Sequence, residues 1–187
     1  MGKNIVFFKT RDEWRNWLID NFEKEKEVYF VFPNVKSKEN GVSYNDAVEE
    51  ALCFNWIDGV ASKFDEKHQM RRFTPRRKNS SYSRLNIERL IYLESLGLIN
   101  PKFKDEINKI TSKPFIFSKD IIDEIKKDKL AWDNYQNFSD SYKRIRISHI
   151  ESSRKNLDEF RKRLTTFIKK THDNKKYGAS GGSDKYY

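Results

Sequence analysis

The chain has 187 residues and a mass of 22.5 kDa, a length that allows one domain with a helical extension or two small domains and excludes a large multidomain protein. Charged residues make up 35% of the chain and aromatic residues 14%, and 38 Lys and Arg against 28 Asp and Glu give a formal net charge of +10. This composition excludes a disordered polyelectrolyte and predicts a basic protein with an aromatic core, for which an anionic partner is expected.

The first part of the chain alternates between strand and helix patterns. Residues Ile5–Lys9 form a short β-favouring run, and Thr10 and Glu13 have the spacing of a capping box that opens a helix. The run Glu27–Val35 is typical of a strand that is covered on both faces. Ser43 is placed to cap the next helix, whose apolar positions recur at helical spacing as far as Phe54.

A hairpin and another helix follow. The segments Trp56–Lys63 and His68–Thr74 are typical of two strands joined by a tight turn. A polar loop over Pro75–Tyr82 then leads to a helix from about Ser83 to Leu96, and Gly97 stands where a left-handed residue ends a helix.

The pattern from Ser118 onward is helical, and after Thr171 the composition shifts to Lys, Asn, Gly, Ser and Tyr. The sequence therefore predicts an α+β domain over residues 1–112, with helices packed on a small, largely antiparallel sheet built from the segments near residues 5, 30, 58 and 71. A helical module over residues 113–172 and a flexible tail over residues 173–187 complete the predicted organisation.

The cysteine content and the hydropathy of the chain indicate its cellular compartment. A single cysteine, Cys53, excludes an internal disulfide framework and multi-cysteine zinc sites, and it favours a reducing compartment. No run of 18 apolar residues occurs, and no apolar stretch of signal-peptide length follows the first residues. We therefore predict a cytoplasmic protein that does not span a membrane.

The net positive charge comes from two segments, residues 71–84 with +6 and residues 139–176 with +7. The first segment includes the loop between the hairpin and the following helix, and it contains no acidic residue and six basic ones: Arg71, Arg72, Arg76, Arg77, Lys78 and Arg84. Arginine binds a planar carboxylate or a phosphate through two parallel hydrogen bonds, and hydroxyls beside a helix start can complete such a site. The candidate ligand-binding residues are Arg72, Arg76, Arg77, Ser81, Tyr82, Ser83, Asn86 and Trp56. In the alternative interpretation, these arginines pair with Asp46, Glu49, Glu50 or Asp58 and stabilise the fold.

Other residues allow weaker chemical hypotheses. Asp58 is a candidate acid or base if Trp56 shields its carboxyl from water, and alternatively it binds Arg76, Arg77 or the backbone of its own turn. Tyr82 is the better ring for stacking on a base, whereas Trp56 is more typical of a core residue. The histidines and the cysteine show no metal-ligand spacing, and no glycine-rich nucleotide loop is present, so no metal or cofactor is predicted.

A longer pattern runs through the centre of the chain. Its motifs are Leu52-Cys53-Phe54 at a helix end, Trp56-Ile57-Asp58-Gly59, Phe73-Thr74-Pro75-Arg76-Arg77, and Ser81-Tyr82-Ser83. With these motifs the chain resembles the YdeI/OmpD-associated family of bacterial proteins, often described as bacteriocin-protection proteins, and residues 121–170 resemble its OmdA domain. The resemblance implies a bacterial cytoplasmic protein linked to tolerance of bacteriocins or cationic peptides, without a settled reaction.

The chain departs from the family pattern at three places. Asn55 stands where the family usually has Gly, and Tyr82 stands where it usually has Trp. The segment Glu159-Phe160-Arg161 replaces a characteristic Glu-Thr-Arg. These departures concern the end of a helix, the tip of the basic loop and the last helix.

Three functions remain open at this point. Binding of an anionic small molecule through the Arg/Ser loop ranks first, and nucleic acid is a less favoured ligand for the same loop. A protein-interaction module that docks to a partner through the C-terminal helices ranks second. An enzyme that uses Asp58 as acid or base, with the arginines holding an anionic substrate, ranks third.

Overall fold

The structure is a computed structural model that describes residues 3–34, 39–178 and 185–186. Its backbone divides into two compact units. The first unit comprises Met1–Tyr82 and Arg89–Ile110, and the second comprises Ser83–Glu88 and Thr111–Tyr187.

The first unit is built on a sheet of four strands, which are β1 (Ile5–Val6), β2 (Val28–Pro33), β3 (Trp56–Lys63) and β4 (His68–Pro75). The strand order is β1-β2-β4-β3, with β1 parallel to β2 and the other two pairings antiparallel. Asp58 lies opposite Phe73, and a bulge follows because Ala61 rather than Val60 lies opposite Arg71. The predicted α+β fold with a largely antiparallel sheet is confirmed.

Helices alternate with these strands and follow them along the chain. They are α1 (Arg11–Asn21), α2 (Tyr44–Cys53), α3 (Arg84–Ser95), a 3₁₀ turn (Pro101–Phe103) and α4 (Lys104–Thr111). Thr10 and Glu13 form the predicted capping box at α1, and the Ser43 hydroxyl accepts a hydrogen bond from the Asp46 N–H at 3.1 Å. Gly97 has a φ of +69°, as predicted for the end of α3.

Several element boundaries differ from the predictions. Strand β1 ends at Val6 and does not reach Lys9. Helix α2 ends at Cys53, because Asn55 adopts a φ of +57° that turns the chain into β3. Val35, the predicted end of the second strand, lies outside the described residues.

The core of the first unit is rich in aromatic side chains. Trp14, Phe30 and Phe73 are fully buried, and the Trp14 indole N–H donates to the Ala47 carbonyl at 3.0 Å. Burial of each large apolar side chain stabilises the fold by about 1.5–3 kcal/mol. Cys53 also belongs to this core.

The second unit is helical beyond α4, in agreement with the predicted pattern. Its helices are α5 (Lys119–Lys126), α6 (Lys129–Asn137), α7 (Asp140–Glu151) and α8 (Leu157–His172). Their apolar faces form a separate core around Ile121, Tyr142, Ile147 and Phe167. Residues 179–184 and 187 of the predicted flexible tail lie outside the described residues. Across the described residues, no helix is both long and apolar enough to cross a membrane.

Candidate functional site

The basic loop is anchored at the point where β4 ends. The Arg76 N–H donates to the carbonyl of Asn55 at 2.9 Å, which ties the start of the loop to the turn between α2 and β3. Asn79 has a φ of +64°, and the Ser80 N–H donates to the Arg77 carbonyl at 3.1 Å, so the loop reverses direction there. The loop is thus held by backbone bonds at its base and at its tip.

Arg76 and Tyr82 form the centre of the loop. The guanidinium carbon of Arg76 lies 3.6 Å from the centre of the Tyr82 ring, and Nη2 donates to the Ser81 carbonyl at 2.7 Å. The Tyr82 hydroxyl donates to Asn55 Oδ1 at 2.8 Å. Burial lowers the pKa of Arg76 and raises the pKa of Tyr82, and neither change alters their charge at neutral pH. Loop and turn together therefore fix the position of this cation.

The basic residues of the segment fall into two groups by their counterions. Arg71 pairs with Asp58 at 3.3 Å, Arg72 with Glu27 at 2.6 Å, and Arg84 with Glu88 at 2.5 Å. By contrast, Arg76, Arg77 and Lys78 have no carboxylate oxygen within 4.0 Å among the described residues. Arg77 and Lys78 are also exposed. Three consecutive positive charges therefore have no close counterion in the part of the chain that the structure describes.

The acidic residues of α2 pair with α1 and not with the basic loop. Arg11 lies 3.1 Å from Asp46 and 2.9 Å from the fully buried Glu49. Arg11 and Arg15 both bind Glu50, Arg15 at 2.6 Å. The predicted pairing of the loop arginines with these three carboxylates is therefore wrong. The sequence offered only the spacing of Arg11 and Arg15, four residues apart on one helix face, as a signal for this network.

Asp58 is bound by two groups of the first unit. It accepts a hydrogen bond from the Tyr44 hydroxyl at 2.6 Å and pairs with Arg71 at 3.3 Å. The guanidinium of Arg71 lies 4.0 Å from the centre of the Tyr44 ring, and burial together with the bond to Asp58 raises the pKa of Tyr44 to about 12. The partner of Asp58 is thus Arg71, not the predicted Arg76 or Arg77. A carboxylate held in this way has a structural role in the strand pair.

The remaining candidate residues, Trp56, Ser83 and Asn86, belong to different parts of the fold. Trp56 is 1% exposed and its indole N–H donates to the Phe22 carbonyl at 3.2 Å, so it is a core residue. The Ser83 hydroxyl accepts from the Asn86 N–H at 3.3 Å as a cap of α3, and Asn86 is buried. Ser83 and Asn86 belong to the second unit, whereas Arg76, Ser81 and Tyr82 belong to the first.

The structure thus brings together Arg76, Ser81 and Tyr82. It adds Asn55, which the sequence singled out only as a departure from the family pattern, as the partner of Tyr82. It also adds Lys78, whose position in the basic run was visible in the sequence but which was not among the candidate ligand-binding residues.

Metal binding and thiol chemistry would depend on the His, Cys, Asp and Glu side chains. No group of three or more His, Cys, Asp or Glu side chains that could hold a metal ion occurs within the described residues. Cys53 is fully buried, and burial together with the nearby Glu50 raises the pKa of its thiol to about 12. The thiol is therefore protonated at neutral pH and unsuited to nucleophilic chemistry.

Two family models match the chain. The model described as "Domain of unknown function (DUF8412)" matches residues 6–106, which include the basic loop. The model described as "Bacteriocin-protection, YdeI or OmpD-Associated" (OmdA) matches residues 114–174 and confirms the resemblance to that family. No curated protein and no solved structure matches the chain significantly.

Proposed function

We propose that this chain, which belongs to the DUF8412 family and carries an OmdA domain, binds phosphate or carboxylate groups of an anionic ligand through Arg76, Arg77 and Lys78. The observation that carries the proposal is the absence of a carboxylate within 4.0 Å of these three cations among the described residues, while Arg71, Arg72 and Arg84 are paired. A bound anion would supply the missing counterion.

The conformation of Arg76 supports this proposal. Stacking on Tyr82 and the bond to the Ser81 carbonyl hold the guanidinium before a ligand arrives, so little side-chain entropy is lost on binding. The exposed Arg77 and Lys78 add attraction for an approaching anion. Arg76 therefore orients the anionic group, and the two exposed cations increase its affinity and rate of association.

The cellular role that we propose follows from the OmdA match. The description of that family concerns bacteriocin protection, and we propose that ligand binding by the loop contributes to protection of a bacterial cell against bacteriocins or cationic peptides. We place this activity in the cytoplasm, which is supported by a lone cysteine that is free and buried.

The test is a calorimetric titration of the full chain with inorganic phosphate, tripolyphosphate and citrate at low ionic strength. We expect Arg77→Ser/Lys78→Ser to weaken tripolyphosphate binding by about tenfold or more, since charge-assisted hydrogen bonds contribute ~1.5–3 kcal/mol each. Lys24→Ser/Lys26→Ser is the matched control, because it removes two exposed cations of the same unit. An equal loss of affinity in both variants would overturn the proposal in favour of general charge attraction.

Nucleic acid is distinguished from a small anion by its dependence on salt. If the three cations neutralise three phosphates of a short DNA duplex, the affinity should fall with a log–log slope of about −2.7. A flat dependence removes nucleic acid from the ligands of the loop and leaves the small anion.

A further inference from the structure

A second candidate site lies wholly within the second unit, on one face of α7. A cavity of about 540 Å³ is lined there by Leu85, Ile145, Arg146, Ser148, His149 and Tyr177. Residues 145, 148 and 149 follow helical spacing on α7, and Ser152 lies at its C-cap, so one side of the helix lines the cavity. The volume falls in the range of sites for small molecules.

Three side chains line this cavity with unused hydrogen-bonding groups. The Ser148 hydroxyl, the ring nitrogens of His149 and the Tyr177 hydroxyl make no hydrogen bond to any residue that the structure describes. The neighbouring Ser152 differs, because its hydroxyl donates to the His149 carbonyl at 2.8 Å. A cavity that combines apolar residues such as Leu85 and Ile145 with a few polar side chains of this kind is typical of a site for a small ligand.

The surroundings of the cavity are positively charged. The Arg146 guanidinium, 7% exposed, lies 5.7 Å from the centre of the Tyr177 ring and donates to the Gly178 carbonyl at 3.3 Å. Arg84 and Arg144 share the single buried carboxylate of Glu88, so these three side chains carry a net positive charge.

His149 is an uncharged donor in this site. Burial lowers the pKa of its imidazole, and the charges of Arg163 and Arg146 lower it further, so the ring is neutral at pH 7. A neutral imidazole can donate one N–H to an acceptor in the cavity. The charge of Glu159 raises the pKa of the His149 ring. Glu159 is itself paired with Arg163 at 2.7 Å.

From this arrangement we infer that the cavity binds a small organic acid, whose apolar body packs on Leu85 and Ile145 and whose carboxylate accepts hydrogen bonds from Ser148, His149 and Tyr177. A singly charged carboxylate suits the site better than a phosphate dianion, because Ser148, His149 and Tyr177 are neutral donors. The guanidiniums of Arg84 and Arg163 are already paired with Glu88 and Glu159. This inference is independent of the basic loop in the first unit.

The test uses benzoate as the probe on the full chain, with benzamide as its neutral isostere. We expect benzoate to perturb the backbone amide resonances of residues 145–149 and to bind about tenfold or more tightly than benzamide, as a charged acceptor forms stronger hydrogen bonds. His149→Leu and the milder Ser148→Ala should each weaken benzoate binding, whereas His172→Leu should not. His172 is a matched control, since it belongs to the same unit and pairs with Asp128 away from the cavity lining.

Several results would overturn the inference. They are an absence of benzoate binding at millimolar concentration, equal binding of benzamide, and unchanged benzoate affinity in both cavity variants. Tighter binding of phenyl phosphate than of benzoate would overturn the assignment to a carboxylate. Loss of benzoate binding in Arg77→Ser/Lys78→Ser would show that the probe binds the basic loop instead.

Discussion

At the scale of single residues, Asn55 links the end of α2 to the basic loop. Its φ of +57° lies in the left-handed region, which glycine adopts freely and which asparagine tolerates better than most other residues. Its carbonyl accepts from the Arg76 N–H and its side chain accepts from the Tyr82 hydroxyl. Asn55 and Tyr82, two positions at which we expected departures from the pattern of the YdeI/OmpD-associated family, are therefore hydrogen-bonded to each other.

Because of this hydrogen bond, we expect substitutions of Asn55 and Tyr82 to have non-additive effects on the free energy of unfolding. Asn55→Gly and Tyr82→Phe should each lower the free energy of unfolding by about 1 kcal/mol, and the double variant should lose little more than either single variant. Urea denaturation of the four proteins measures the coupling. Asn79→Gly is the control for the backbone effect, because Asn79 has a similar φ of +64° and no side-chain hydrogen bond to a described residue. Additive losses would contradict the prediction.

At the scale of elements, the turn between β3 and β4 is closed by charged groups. Asp65 accepts hydrogen bonds from the N–H groups of Lys67 at 2.7 Å and His68 at 2.8 Å. The His68 ring lies 2.8 Å from Asp65 and 2.9 Å from Glu39, through its two different nitrogens. These contacts raise the pKa of His68, with Asp65 as the main cause. The protonated imidazole is therefore the form that stabilises the hairpin.

The raised pKa of His68 predicts a pH dependence with a definite sign. A group whose pKa is higher in the folded state stabilises that state fully below its unfolded pKa of about 6.5, and the effect is lost as pH rises through the folded value. The difference in melting temperature between the unmodified chain and His68→Gln should therefore shrink from pH 6 to pH 8. Thermal denaturation followed by circular dichroism measures it, and a difference that grows over this range would contradict the assignment.

Across the whole molecule, the features that could be predicted from the sequence are those that depend on residues close to one another in the chain. The capping box at Thr10, the strands of the hairpin and the left-handed Gly97 follow from spacing and backbone preference within a few residues. The counterions of Asp58 and Glu50 could not be predicted in this way, because packing of the sheet and of α1 on α2 selects them from many arginines. The cavity on α7 was missed for a related reason: Ser148 and His149 in a charged helix are equally typical of a solvent-facing surface.

Ion pairs across the whole molecule also predict its response to acid. Several carboxylates have a lowered pKa because cations or N–H donors hold them in the ionised form: Asp65, Asp120, Asp123, Asp128, Glu151 and Glu159. Groups with a lowered pKa stabilise the folded chain above their unfolded pKa of about 4, and this contribution is lost as pH falls through the folded values. The melting temperature should therefore decrease below about pH 4.

Arg154 provides the sharpest test of this acid dependence. It binds Asp120 and Glu151 at 2.5 Å each, and it is the main cause of the lowered pKa of both carboxylates. Arg154→Gln should therefore lower the melting temperature at pH 7 and reduce its further decrease below pH ~4, since these two groups then titrate near their unfolded values. Arg161→Gln is the matched control, because Arg161 is exposed and has no ion pair with a described residue. If the melting temperature decreases equally at low pH in both variants, the prediction is contradicted. The ion pairs of Arg154 would then make no difference to the acid dependence of the stability.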